Sequence, residues 1–194
     1  MRRLPEQVAV AREGYRPLCG VGSSAHRDPE PMSLFLCSLF FTVLFPGTVT
    51  VILPWAIVTR WWPAEFPGWG AAQAAALVPI ALGAAVLLHS VWTFAAVGRG
   101  TLVPVDAPRK LVVVGLYRYV RNPMYVGVAA ILLGEALMFR SRALLAYTAV
   151  WFAVVNLFIL LYEEPHLGSR FGDSYARYRR AVGRWLPGRR YDSP

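Results

Sequence analysis

Residues 123–162 read PMYVGVAAILLGEALMFRSRALLAYTAVWFAVVNLFILLY, two apolar runs of 17 and 20 residues around Arg140-Ser141-Arg142. As helices, the runs would be about 25 and 29 Å long, which is enough for each to cross a bilayer. So short a linker predicts a tight antiparallel hairpin. The start of the first run and the end of the second would then lie at the same depth. Residues 121–125 and 163–164 are therefore predicted to be neighbours.

Two more apolar segments precede the hairpin, at residues 33–58 and 71–97. The first contains Pro46-Gly47 and Pro54, which should kink it. The chain is 56% hydrophobic and only 16% charged, which excludes an ordinary soluble domain. The sequence therefore predicts an all-α, polytopic membrane protein with about four transmembrane helices. We expect residues 1–31 to be a poorly ordered cytosolic extension and residues 32–194 to form one membrane domain.

The segment after the hairpin is polar but carries a regular apolar stripe. Its apolar residues recur every three or four positions through residues 163–182. This spacing predicts an amphipathic helix on the membrane surface, closed by Trp185 and Pro187. The stripe consists of Leu167, Phe171, Tyr175, Tyr178 and Val182.

Basic residues are concentrated in three segments of the chain. Seventeen of the 20 lysines and arginines lie in the N-terminal tail, the loop at residues 98–122 and the C-terminal tail. By the positive-inside rule, both termini and this loop are predicted to be cytosolic. Arg140 and Arg142 lie in the hairpin linker instead, and we expect one of them to pair with Glu135.

The formal net charge is +9. In such an apolar chain, this charge predicts contact with anionic membrane lipids rather than with nucleic acid. Cys19 and Cys37 do not have the spacing of a zinc site or of a disulfide framework. We therefore expect membrane lipids as partners, and neither nucleic acid nor a metal.

Small and polar residues interrupt the apolar runs. Gly127, Ala130 and Gly134 lie on one face of their run, a pattern typical of close packing between membrane helices. His89 and Asn156 lie within apolar segments. Such residues either form hydrogen bonds between helices or contact a substrate. We expect the first role for both.

Charged and polar residues meet at the predicted cytosolic end of the hairpin. Asn122 and Pro123 suit the N-cap and first position of a helix, and the free amides of a helix start favour an anion. Arg121 could hold a carboxylate there, while Glu163 and Glu164 offer the opposite charge. This arrangement predicts a site for a zwitterion. A plain ion-pair network between the same residues is an equal alternative.

The stretches GLYRYVRNPMYVG at 115–127, YEEPHL at 162–167 and FGDSYARYRRAVGRWLP at 171–187 share this end of the molecule. Together they resemble the isoprenylcysteine carboxyl methyltransferase and phospholipid methyltransferase superfamily of membrane enzymes. The shared pattern is RHPxYxG, or NPMYxG in the phospholipid branch, followed by a short hairpin and EExxL. The resemblance covers residues 98–187. It implies an S-adenosylmethionine site in a cytosol-facing pocket.

The resemblance also implies which residues hold the cofactor. Glu163 and Glu164 have two candidate roles, as cofactor contacts and as catalytic groups that take a proton from an amine acceptor. Arg121 joins the set because of its charge. The candidate cofactor-binding residues are Arg109, Lys110, Leu111, Val112, Tyr117, Arg121, Asn122, Pro123, Met124, Tyr125, Glu163 and Glu164.

Two positions depart from the carboxyl methyltransferase pattern. Asn122 replaces its histidine, as in the phospholipid branch, and Ile159 replaces an arginine that holds the substrate carboxylate. A prenylcysteine carboxylate is therefore disfavoured as substrate. The resemblance implies transfer of a methyl group from S-adenosylmethionine to a lipophilic or small acceptor, namely an isoprenoid or lipid carboxylate, a phospholipid amine or a thiol. The alternatives are an NADPH-dependent membrane reductase of the sterol-reductase type and a non-catalytic membrane protein on the same scaffold.

Overall fold

A computed structural model describes residues 44–61, 66–98, 111, 113–188 and 190–192 of the chain. Within these ranges, the regular elements are helices. They are α1 (Leu44–Trp61), α2 (Ala71–Gly98), α3 (Pro123–Met138), α4 (Arg142–Phe158) and α5 (Glu164–Ala181). The expectations for residues 1–31, for both cysteines and for Arg109, Lys110 and Val112 lie outside the described residues.

Three helical segments are long and apolar enough to cross a membrane: α1, α2 and the segment from Arg142 to Ala181, in which α4 leads directly into α5. Helix α3 is a shorter apolar helix of 16 residues. These helices confirm the predicted all-α membrane protein. The helix from Arg142 is apolar only as far as Tyr162, so its membrane-spanning part ends there. Glu163 begins the polar part outside the span.

The prolines of α1 do not end the helix. A π turn at Thr48–Ile52 is followed by an α turn at Leu53–Ala56 and by a second π turn at Ile57–Trp61. Pro54 has no N–H to donate, and the wider turns on both sides keep the chain helical. In the described part of α1, the predicted interruption is therefore a local change of helix type.

Helices α2 and α3 are in backbone contact. A Cβ atom added to Gly127 would lie 2.7 Å from the carbonyl oxygen of Gly83, and one added to Gly134 would lie 3.0 Å from that of Ala76. Small residues let membrane helices approach in this way, so the close packing predicted for Gly127 and Gly134 is confirmed. The core beside this contact consists of Leu87, Val128, Ile131 and Leu132.

Helices α3 and α4 form the predicted hairpin. Arg140 takes a positive φ of 48° in the linker. The Ser141 side chain caps α4 by accepting a hydrogen bond from the N–H of Leu144 at 3.3 Å. The start of α3 and the polar residues after α4 therefore meet at one end of the molecule, as predicted.

A π turn, Ile159–Glu163, joins α4 to α5. It closes where the N–H of Glu164 donates to the carbonyl of Ile159. Pro165 cannot donate a hydrogen bond to the preceding turn, which favours the wider spacing. One extra residue rotates the following helix by about 100°. The π turn therefore sets the faces on which the two neighbouring glutamates lie.

Helix α5 has the predicted amphipathic stripe but is broken at Gly172, which has φ 51° and ψ −128°. The stripe packs against Leu111 and Val113 in the segment before α3. Protein thus covers this apolar face, whereas the sequence predicted that it would lie against lipid. The buried residues of this cluster are Val113, Tyr175, Tyr178 and Val182, with Leu167, Phe171 and Tyr191 around them.

The C-terminal tail returns along the segment before α3. The N–H of Arg121 donates to the carbonyl of Gly183 at 2.9 Å, and that of Gly188 donates to the carbonyl of Tyr119 at 3.0 Å. In a third backbone hydrogen bond, the N–H of Tyr191 donates to the carbonyl of Arg118, again at 3.0 Å. The tail therefore holds the residues that lead into α3.

Candidate functional site

The loop that leads into α3 turns sharply at Gly115. This glycine has φ 57°, and a Cβ atom there would lie 3.0 Å from Nε2 of His89. Both facts favour glycine. A 3₁₀ turn, Gly115–Arg118, then buries Tyr117, and the Tyr178 hydroxyl donates to the Tyr117 carbonyl at 2.6 Å. The turn is thus fixed between α2 and α5. His89 itself is exposed.

Helix α3 begins at Pro123, with Asn122 at the N-cap position as predicted. However, the Asn122 side chain forms no capping hydrogen bond, although it is buried. A buried amide usually has a partner, and in this arrangement the helix does not supply one. Met124 packs beside the core between α2 and α3.

Arg121 and Glu164 form an ion pair, with Arg121 Nη1 2.9 Å from Glu164 Oε1. Arg184 donates to the same oxygen at 2.8 Å, and Arg179 lies 3.7 Å from Oε2. The Glu164 side chain is only 5% exposed. Burial raises the pKa of this carboxyl, but the hydrogen bond from Arg184 and the charges of Arg121, Arg184 and Arg179 outweigh burial, so the pKa is lowered. For these residues, the structure matches the ion-pair alternative.

Glu163 lies in different surroundings from its neighbour. The Tyr125 hydroxyl donates to Glu163 Oε2 at 3.4 Å. Burial raises the pKa of the Glu163 carboxyl to about 7, and the charge of Glu164 also raises it, whereas Tyr125 and Arg121 act in the opposite direction. Burial raises the pKa of the Tyr117 phenol, and the charge of the nearby Glu163 raises it further. A carboxylate and two tyrosines therefore share one small region.

The predicted site residues divide into three groups. Arg121, Tyr125 and both glutamates come together directly, with Tyr117 beside them. Asn122, Pro123 and Met124 form the adjoining first turn of α3. Leu111 lies apart from these, packed beside the apolar stripe of α5.

Sequence reasoning missed the residues that surround Glu164 from the C-terminal side. The Tyr175 hydroxyl lies 3.5 Å from Arg121 Nη1. Arg179 and Arg184 complete the ion-pair network around Glu164. Fifteen to twenty residues separate these arginines from Glu164. Only the break at Gly172 and the return of the tail bring them close. No spacing rule in the sequence indicates this contact.

Two other polar predictions have different outcomes. Asn156 does form a hydrogen bond, but its partner is the indole N–H of Trp185 in the tail, at 3.3 Å, rather than a side chain of another helix. The predicted pairing of Glu135 with Arg140 or Arg142 is wrong. Glu135 Oε2 is buried and has no hydrogen-bond partner within the described part of the chain, because the linker carries both arginines away from it.

Comparison with known proteins shows the family of this chain. The sequence profile of the phospholipid methyltransferase family matches residues 72–174, more than half of the chain. The chain belongs to the phospholipid methyltransferase family. The matched segment of this methyltransferase-family protein contains Arg121, Tyr125, Glu163 and Glu164. Arg179 and Arg184, which surround Glu164, lie beyond its end.

Two individual proteins are also similar to parts of this chain. An uncharacterized protein of Haemophilus influenzae is 36% identical over 63 residues, which is 32% of this chain and all of the relative. The Schizosaccharomyces pombe protein-S-isoprenylcysteine O-methyltransferase is 38% identical over 78 residues, 40% of this chain and 33% of that enzyme. The chain thus matches one third of the yeast enzyme's length. No solved structure matches it significantly. Family and fold together describe a membrane methyltransferase.

Proposed function

We propose that this protein transfers a methyl group from S-adenosylmethionine to a lipophilic or small acceptor at the end of the α3–α4 hairpin. The observation that carries the proposal is the contact between Tyr125 and Glu163, at 3.4 Å. These residues are 38 positions apart in the sequence, and both lie inside the segment matched by the family.

The residues of the site suit the cofactor chemically. Glu163 is a carboxylate without an arginine partner among the described residues, so it is available to a ribose hydroxyl, an ammonium or a sulfonium. Tyr117 and Tyr125 add aromatic faces, which attract cations with delocalised or alkylated charge. The side-chain amide of Asn122, which forms no capping hydrogen bond, offers both a hydrogen-bond donor and an acceptor. Arg121 is already paired with Glu164, so we assign it to positioning rather than to the cofactor's carboxylate.

Methyl transfer requires little covalent chemistry from the protein. When bound, S-adenosylmethionine supplies both the methyl group and a good leaving group. The residues of the chain then need to align the acceptor and to exclude water. The packing of Tyr117 under α5 and the tail encloses one side of the site. These contacts support alignment and exclusion of water as the protein's contribution.

The two candidate catalytic glutamates are not equivalent. Glu164 is held by three arginines and has a lowered pKa, so it is a poor proton acceptor. The pKa of Glu163 is about 7, which is the range suited to a general base at neutral pH. We therefore assign proton removal from an amine acceptor to Glu163. A thiolate or carboxylate acceptor would need no base.

The surroundings of Ile159 bear on the acceptor. This residue stands where the carboxyl methyltransferases have their substrate-binding arginine, and it is 1% exposed. A buried isoleucine cannot pair with a carboxylate. This observation supports an amine or a thiol over a prenylcysteine carboxylate as the acceptor.

Calorimetry on the full chain in detergent tests the cofactor. We expect S-adenosylmethionine and S-adenosylhomocysteine to bind and NADPH not to bind. Glu163→Gln should weaken binding about tenfold, the effect of losing one hydrogen bond to a charged group. The control is Glu135→Gln, the same substitution at the other end of the hairpin, which should leave binding unchanged. Binding of NADPH alone would support the reductase alternative and overturn the proposal.

Transfer of a tritiated methyl group tests the reaction. The protein, incubated with labelled S-adenosylmethionine, total lipid and small thiols, should label one of these fractions. Glu163→Gln should reduce labelling of an amine more than labelling of a thiol. Binding of the cofactor without labelling of any fraction would support the alternative of a non-catalytic membrane protein on the same scaffold.

A further inference from the structure

A groove lies beside α5 on the face that carries Glu164. Its volume is about 690 Å³, and Gly172, where the helix is broken, is among the residues that line it. Leu160 and Pro165 line one end, and Arg179 and Arg180 line the other. The groove therefore has an apolar end and a basic end, and it is separate from the contact between Tyr125 and Glu163.

The apolar end lies at the membrane boundary. Leu160 is two residues before Tyr162, where the apolar part of the helix ends. Leu160 is 40% exposed and Leu161 is 77% exposed, so both can contact hydrocarbon. The basic end comes from the second half of α5, beyond Gly172, and is outside the span. A ligand along the groove would pass from hydrocarbon to a polar, positively charged environment.

The basic end carries more positive charge than the protein neutralises. Glu164 is one carboxylate facing three guanidinium groups. Arg121 and Arg184 share its Oε1 at 2.9 and 2.8 Å. Arg179 is 3.7 Å from Oε2, which is longer than a hydrogen bond, and its side chain is 56% exposed. Within the described residues, Arg180 has no carboxylate at ion-pair distance. An anion in the groove would balance this excess.

We propose that this groove binds one anionic membrane phospholipid, with its phosphate between Arg179 and Arg180 and an acyl chain along Leu160. Guanidinium groups form paired hydrogen bonds with phosphate oxygens. A small free anion would use only the basic end, whereas a lipid uses both ends. The proposal is independent of methyl transfer, because it involves neither Glu163 nor Tyr125.

Native mass spectrometry of the full chain in a neutral detergent tests this site. We expect one dioleoylphosphatidylglycerol to remain bound per chain, and dioleoylphosphatidylcholine to bind at least about tenfold more weakly. Replacing both groove arginines, Arg179→Gln with Arg180→Gln, should weaken lipid binding by up to about a hundredfold, since each lost contact to a charged group costs about tenfold. Arg180→Gln alone, which leaves the Glu164 network intact, should show part of the loss.

The matched control removes the same charge from the same helix outside the groove, by Arg170→Gln with Arg177→Gln. This pair should retain the lipid, and both pairs should keep the wild-type circular dichroism. Equal loss in both pairs would overturn the proposal in favour of diffuse attraction to a basic surface. Competition by equimolar inorganic phosphate would overturn the assignment to a lipid. Equal retention of phosphatidylcholine would overturn the requirement for negative charge.

Discussion

The α3–α4 hairpin has glutamate and arginine at both of its ends, but the two ends use them differently. At the end where α3 begins, Arg121 and Glu164 are paired at 2.9 Å and two more arginines enclose the carboxylate. At the linker end, Glu135 has a buried oxygen without a partner in the described residues, and it does not reach Arg140.

The difference between the two ends shows that chain geometry decides whether a glutamate and an arginine form an ion pair. The linker is too short to return its arginines towards α3, and Arg140 takes a positive φ within it. The other end has a π turn, a broken helix and a returning tail, which together surround one carboxylate. Composition is therefore similar at the two ends, and chain geometry decides which charges meet.

The largest expected effect comes from Glu164→Gln. Removing this carboxylate leaves three neighbouring guanidinium groups without their common partner. Loss of one partner from a buried pair costs about 3 kcal/mol, so the free energy of unfolding should fall by roughly that amount. Unfolding in mixed detergent and SDS micelles, followed by circular dichroism, measures it. The adjacent Glu163→Gln is the control, and equal losses in the two variants would contradict the distinction between the glutamates.

Acid should affect the same network. The pKa of Glu164 is lowered in the folded protein, so its contribution is present above the unfolded value of about 4.5 and is lost as pH falls through the lowered value. The wild-type protein should lose more stability than Glu164→Gln between about pH 5 and pH 3. Parallel pH curves for the two proteins would show that the network does not stabilise the fold.

A second effect concerns cofactor binding and Glu163. Its pKa of about 7 lies above the ordinary value, so the ionised form increases as pH rises through neutrality. If that form contacts a sulfonium, affinity for S-adenosylmethionine should rise between about pH 6 and 8 and then level off. Glu163→Gln should show a flat profile.

Comparison with S-adenosylhomocysteine locates the contact more sharply. The demethylated molecule has no charge at sulfur. If Glu163 faces the sulfonium, its substitution should weaken only the charged molecule. If Glu163 binds the ribose, both molecules should lose affinity by about the same factor. Calorimetry at pH 8 distinguishes these outcomes, and no loss for either would remove Glu163 from the site.

A smaller effect is expected where the tail contacts α4. Trp185→Phe keeps the ring packed on Phe152, whose centroid is 4.7 Å away, but removes the hydrogen bond to Asn156. We expect a loss of about 1 kcal/mol in the free energy of unfolding. Asn156→Leu combined with Trp185→Phe should cost less than the sum of the two single changes. Additive losses would indicate that the two side chains act independently.

The smallest effects belong to the linker end. Glu135→Gln removes a carboxylate that has no arginine partner among the described residues, so the protein should be unchanged or slightly more stable. Arg142→Gln, at an exposed position, should change the free energy of unfolding by less than about 0.5 kcal/mol. Thermal unfolding in detergent measures both variants. A loss of more than about 2 kcal/mol in each would restore the predicted ion pair.

Much of the fold was predictable because it depends on contiguous segments. The lengths of the apolar runs predicted the helices, and three linker residues predicted the hairpin that brings Tyr125 to Glu163. Small residues at Gly127 and Gly134 predicted the close contact with α2. The stripe of α5 was also correct as a pattern, but a pattern cannot tell whether lipid or protein covers it.

By itself, the sequence determined an all-α membrane protein with about four transmembrane helices, its family motifs and the end of the hairpin where they meet. Tertiary structure alone decided that the two neighbouring glutamates have opposite environments. Adjacent residues of a helix point about 100° apart, and the break at Gly172 and the returning tail bring Arg179 and Arg184 to only one of the two glutamates. Helix length and periodicity are local properties, whereas the partner of a charge depends on segments that are distant in the chain. The feature on which the proposed function depends, an arginine-enclosed Glu164 beside a protonatable Glu163, therefore required the folded chain.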